Sequence, residues 1–196
     1  MNPLDFFLRE HAAVHGASVA SGDYHVVDWA LDGLDDTQLR TRPHGLNSIA
    51  WLLWHLARVE DSCVATVVFG GTQLLDDAWV ARLGVDHRDR DGDGMTKGEV
   101  SAVSDALDLA SLRAYRDAVG TRTRTLASEL WSVGRWDARL TEADLRAAAA
   151  AGALGGEDAA WLTGKAREEL LAWWAVHHSY YHLGQAMAVR SLLIAP

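Results

Sequence analysis

From about Lys165 to Leu193 the chain reads as a single helix. At 1.5 Å per residue such a helix is roughly 40 Å long. A chain of 196 residues that commits this much length to one helix needs other helices beside it. The rest of the sequence agrees, because strand signals are poor and the 3.6-residue apolar period recurs. "NSIAWLLWHLARVEDSCVATVV" opens at an N-cap, Asn47 or Ser48, whose side-chain oxygen can accept from an orphan N–H. It stays apolar to Val68 and stops at Gly70-Gly71. A third helix starts at Asp108, with Leu112, Tyr115, Val119, Leu126 and Leu130 on one face. A fourth is expected from about Asp23 to Leu31 or beyond, with Tyr24, Val27 and Leu31 aligned. Four helices with few strands predict an all-α fold, a four-helix bundle in one domain over residues 1–196.

The connection between the second and third of these helices, about Gly70 to Leu107, is longer than a tight turn requires. Long connections in bundles mark crossovers and tend to carry function. Thr96 and Glu99 form a T-x-x-E capping box that starts a short helix within it. "DRDGDG" imitates a calcium loop, with Asp89, Asp91 and Asp93 at the first, third and fifth positions and Gly94 at the sixth. The twelfth position should be glutamate and is Val100, so a solvated acidic turn is expected. Residues 1–20 read as a short helix around Leu4–Val14, interrupted by Gly16 and Gly22. Residues 132–164 read as irregular.

A hydrophobic content of 49% and a charged content of 23% suit a globular domain rather than a disordered chain. The net charge of -9 gives no bulk attraction to nucleic acid or anionic lipid. No apolar run reaches the roughly 18 residues of a membrane span, and "MNPLDFFLREHAAVHG" lacks a signal-peptide pattern. The expected setting is the cytoplasm. Cys63, the only cysteine, lies in an apolar helix and reads as a core residue. Lys97 and Lys165 are the only lysines, and Ala, Gly and Arg are abundant. That bias fits a high-GC genome such as an actinobacterium's.

The chemistry is carried by "HHSYYHLGQ", residues 177–185. Positions four apart on a helix share a face, so His178 and His182 can point at one centre. Gln185 shares that face and can orient a ligand; His177 lies about 100° from His178 and is a bystander. His55, in mid-helix among Trp51, Leu52 and Val59, is the best third ligand, because an unpaired imidazole there loses hydration without return. Three neutral histidines leave coordination positions open, as in catalytic sites. Imidazole suits zinc first here, with nickel and iron as alternatives. The spacing alone leaves a structural reading open, since core histidines are common. Trp51 and Trp174 are the pocket candidates on these faces. Trp173, Tyr180 and Tyr181 read as packing residues. Glu60 and Asp61 sit on other faces than His55 and read as structural ion pairs with an arginine. His11 and His15 repeat the four-residue spacing in a polar, glycine-broken segment and read as solvated surface. G-x-G-x-x-G, P-loop and G-x-S-x-G signatures are missing.

"NSIAWLLWHLARVED" and "HHSYYHLGQ" together resemble the two signature helices of the DinB-like superfamily, and "GMTKGEV" and "LRAYRDAV" resemble its middle region. The likeness covers residues 42–125 and 165–192 and is weaker over 1–20 and 132–164. It implies a bundle in up-down-down-up order and a divalent metal held by His55, His178 and His182. Members include mycothiol-, bacillithiol- and glutathione-dependent S-transferases, a domain of mycothiol-dependent maleylpyruvate isomerase, and metal-dependent hydrolases. The leading expectation is a transferase joining mycothiol, a small-molecule thiol, to an electrophile. A hydrolase using metal-activated water and a non-enzymatic, metal-stabilised dimeric scaffold or ligand binder are the alternatives. A homodimer is compatible with an apolar bundle; no partner of another kind is indicated.

Overall fold

The computed structural model describes residues 1–88, 90–152 and 159–194. Asp89, the first position of the calcium-like pattern, lies outside them. The fold is all-α, and no strand occurs among the described residues; one isolated antiparallel bridge joins Arg139 and Ala166. No helix among them is long and apolar enough to cross a membrane.

The central element is α4, Ile49–Val59, which continues as a π-helical stretch over Glu60–Val68. Ser48, rather than Asn47, caps it by accepting from the Trp51 N–H at 3.0 Å. Every residue from Ile49 to Val68 is buried. A helix enclosed on all sides can carry a polar group only where a neighbour answers it. This one carries His55, Arg58, Glu60 and Asp61. Asp61 forms the ion pair expected of it, with Oδ2 3.5 Å from Arg58 Nη1. It also accepts from Tyr115 Oη at 2.6 Å and from the backbone N–H groups of Leu74 and Leu75 at 2.7 and 2.9 Å. Those bonds fasten the start of the long connection to the core. The connection itself holds α5, Asp77–Leu83, and α6, Lys97–Ala106, the latter opened by the expected Thr96–Glu99 box.

The N-terminus departs from expectation only in its second helix. The short helix expected around Leu4–Val14 is a twelve-residue α1, Pro3–Val14, whereas the helix expected from Asp23 is shorter, with α2 spanning only Val26–Leu31. Asn2 caps α1, and Phe7, His11 and Val14 face inward. α3, Asp36–Arg40, leads into α4. α7, Leu109–Ser132, begins at the expected Asp108 cap and packs against both α1 and α4. Within the stretch 132–164 expected to be irregular, α8 spans Glu142–Ala150 behind a Thr141–Asp144 box, and residues 153–158 lie outside the described residues. The C-terminal helix is not uniform: α9, Arg167–Ala172, passes through a π turn at Trp173–His177 into α10, His178–Leu193. α10 lies against α2 and α4, and the two π segments contact each other. Trp173 and Tyr181, expected as packing residues, are exposed, whereas Trp174 is buried.

Gly120 sits mid-way along α7, where glycine costs about 1 kcal/mol relative to alanine. A Cβ there would lie 2.6 Å from the Cε1 and Nδ1 atoms of His15. Gly120→Ala is therefore expected to lower the melting temperature, because overpacking costs about 1–3 kcal/mol and outweighs the helix gain. Thermal unfolding of the variant checks this, and a raised melting temperature contradicts it.

Candidate metal centre

The three histidines singled out from the sequence meet. His55 comes from α4, and His178 and His182 from the first turns of α10. His178 Nε2 lies 3.2 Å from His55 Nε2 and 3.0 Å from His182 Nε2. The ring planes are steeply inclined to one another, at 68°, 90° and 77°. The three edges thus converge instead of stacking. A metal at 2.0–2.1 Å from tetrahedrally placed imidazole nitrogens holds them about 3.3–3.4 Å apart, close to the separations seen here.

The tautomers supply the test of fit. His55 Nδ1 lies 2.6 Å from the carbonyl oxygen of Asp91, so it carries the proton and donates. His182 Nδ1 donates to Gln185 Oε1 at 2.8 Å. Both Nε2 atoms therefore present lone pairs toward His178. A proton on His178 Nε2 can serve only one of them at a time; a cation serves all three. Burial first, and the imidazoles of His55 and His182 next, push His178 down to about 3. Burial also lowers His182. Both rings stay neutral, as ligation demands. Among the described residues no fourth His, Cys, Asp or Glu joins this set.

The other sequence candidates fall around it. Gln185 Oε1 lies against His182 Nδ1. Trp51 stacks on His55 at 5.0 Å and 11°. Trp174 packs in a separate apolar cluster with Phe7, Val64 and Leu171. His177 is a bystander, exposed and edge-on to Trp173. Cys63 is buried in the core, and burial pushes its thiol up to about 12, which removes it as a nucleophile. The "DGDG" turn is the surprise. It is a support of His55 rather than a free acidic loop, and the carboxylates of Asp91 and Asp93 lie within 4.8 Å of a His55 ring nitrogen. No spacing rule could have marked a backbone carbonyl.

His11 and His15 are also corrected. They are fully buried, not solvated, because α1 turns them onto Glu60. His11 Nε2 meets Glu60 Oε1 at 2.9 Å, and His15 Nε2 meets Oε2 at 3.0 Å. Glu60 thus pairs with histidines where an arginine was expected. The donor set resembles a metal site, but the two rings stack at 4.3 Å and 26°, each addressing its own oxygen. Nearly parallel rings do not converge on one ion; the geometry is that of a carboxylate accepting two N–H groups.

Burial, together with His11 and Arg116, holds His15 down at about 3, against the pull of Glu60. Burial raises Glu60, yet its interactions with His15 and His11 leave it well below the usual carboxylate range. Both shifts destabilise the fold in acid. Between the ordinary 6.5 and about 3 the unfolded chain takes up a proton at His15 that the folded chain refuses. That makes stability fall by up to about 1.4 kcal/mol per pH unit. Glu60 adds a loss of the same sign below about 4.5. Melting temperatures measured downward from neutral pH are expected to fall through this window, less steeply in His15→Gln; a flat profile contradicts it.

An all-α chain that brings three imidazoles to one point has the donor set of a helical protein that could hold a metal ion. The match over residues 22–186 goes further: this chain belongs to the DinB superfamily, which includes metal-binding proteins. Comparison with curated proteins returned no match.

Proposed function

We propose that the protein is a metal-dependent S-transferase that joins a small-molecule thiol, mycothiol first among candidates, to a small electrophile. The observation that carries this reading is the convergence of three Nε2 lone pairs with no fourth His, Cys, Asp or Glu donor among the described residues. Such a set leaves coordination positions for an exogenous ligand. Held by His55, His178 and His182, a divalent metal, zinc first and nickel or iron as alternatives, would lower the pKa of a bound thiol. The thiol sulfur would form its bond to the electrophilic carbon as the leaving group departs with its electron pair and the thiol proton passes to water. Gln185 and the Asp91 carbonyl hold two of the rings in the ligating tautomer throughout.

The same reading places α1, α4 with its π extension, α7, and α9–α10 as the four members of an up-down-down-up bundle. It places the protein in the cytoplasm, where low-molecular-weight thiols stay reduced. It includes a homodimer, for which exposed Phe6, Trp161, Trp173 and Tyr181 supply apolar surface. A hydrolytic reading is favoured by one feature, Asp93, a carboxylate close enough to His55 to act as the base that water attack requires.

The deciding experiment screens electrophiles with metal-loaded protein, with and without mycothiol, beside His178→Ala. Turnover that needs both thiol and His178 is expected. Turnover without thiol would replace the transferase by the hydrolase. Turnover under neither condition would replace both by a metal-stabilised scaffold.

A further inference from the structure

Arg58 is buried one turn beyond His55 on α4. Its guanidinium reaches out of the helix and donates to backbone. Nε donates to the Arg90 carbonyl at 3.3 Å, and Nη2 to the Arg88 carbonyl at 3.2 Å and to Gln73 Oε1 at 2.7 Å. The side chains of those arginines turn outward, Arg88 to Asp77 and Asp86, Arg90 to Glu99. This stretch therefore meets the protein through its main chain. The next carbonyl, that of Asp91, is the one that accepts from His55 Nδ1. Gly92 follows, buried, with φ 117, a conformation L side chains avoid. A Cβ on Gly92 would lie 2.8 Å from Trp51 Cζ2, 2.9 Å from His55 Nδ1 and 3.2 Å from Trp54 Cζ3. The Asp93 N–H closes the turn on Asp91 Oδ1 at 3.0 Å.

We infer that residues 90–93 form a backbone strap, anchored by Arg58, that positions His55 as a ligand, with Arg58 and Gly92 as positioning residues. Three constraints act on one ring. The Asp91 carbonyl fixes its tautomer, Trp51 fixes its plane, and the bare Gly92 lets the strap come close enough to do the first. A strap pushed away leaves Nδ1 without its acceptor, and the proton is then free to settle on Nε2, where it blocks ligation. The inference rests on the three-histidine centre and concerns this chain's supports for it.

The test measures zinc affinity by chelator competition, and the visible spectrum of the cobalt-substituted protein, for wild type, Gly92→Ala, Gly94→Ala and Arg58→Lys. Gly94 is the control: its φ is +72, so alanine is strained there too, but nothing lies within 4 Å of its Cβ. Gly92→Ala is expected to weaken zinc binding about 10–100-fold, the usual effect of losing a ligand's hydrogen-bond partner. It should also alter the cobalt spectrum, while Gly94→Ala matches wild type in both. Arg58→Lys keeps the charge beside Asp61 and loses the fork, so it should shift affinity in the same direction. Equal affinities for Gly92→Ala and Gly94→Ala would overturn the strap while leaving the centre intact. Wild-type protein that takes up no zinc would overturn the centre, and the strap's role with it.

Discussion

Purified protein is expected to hold about one divalent metal ion per chain, and His178→Ala essentially none. His178 is the middle member of the triad, with its Nε2 near both of the others. Removing it leaves the Nε2 atoms of His55 and His182 without the shared neighbour that brings them to one point. Two imidazoles from different helices bind a divalent ion far more weakly than three. His15→Ala should retain the metal, because the His11–His15–Glu60 cluster has stacked rather than convergent rings. Elemental analysis of the three proteins decides the matter. Equal metal in wild type and His178→Ala would refute the assignment, and loss in His15→Ala would move the site to α1.

Glu60→Ala is expected to be the most destabilising of the single changes considered. Glu60 is buried with its two oxygens committed to His11 and His15, and it faces the buried charge of Arg116. Taking away one partner of a buried charged cluster costs about 3–5 kcal/mol, because the others stay desolvated. In a domain of this size that corresponds to a drop of roughly 6–20 °C in melting temperature. Metal content, measured on the folded variant, should be unchanged. A drop of only a degree or two would mean that α1 is held by its apolar face alone, through Phe7 and Val14.

The triad was readable because its parts are local: an i, i+4 pair in an apolar helix, and one imidazole with no hydration in another. Caps at Ser48, Thr96 and Asp108 were readable for the same reason. The His11–His15 cluster was harder. Its partner Glu60 stands 45 residues from His15, and neither flank advertises the other. A signal did exist in the spacing of Phe7, His11 and Val14, which places all three on the buried face of α1. The strap over His55 left no signal, since a main-chain carbonyl is common to every residue. Its nearest trace is Gly92, two residues before the glycine of the calcium-like pattern, which serves a close approach. Thr141 and Asp144, a capping box three apart, would have revealed α8.

The π turn at Trp173–His177 has a consequence for how this helix tolerates length changes. A π turn holds one residue more than the α-helix it interrupts. The core side of α9, with Leu170 and Leu171, and the metal side of α10 are therefore one residue out of step along the sequence. An extra residue in a straight α-helix would turn everything beyond it by about 100°, and the π turn takes up that rotation locally. Deleting one residue within Trp173–His177 should therefore relax the turn to α-helix and leave both histidines and Gln185 facing the same point, whereas deleting one between His178 and His182 would swing His182 and Gln185 away from His178. The spacing between the two histidines, rather than the length of helix before them, is what the candidate centre depends on.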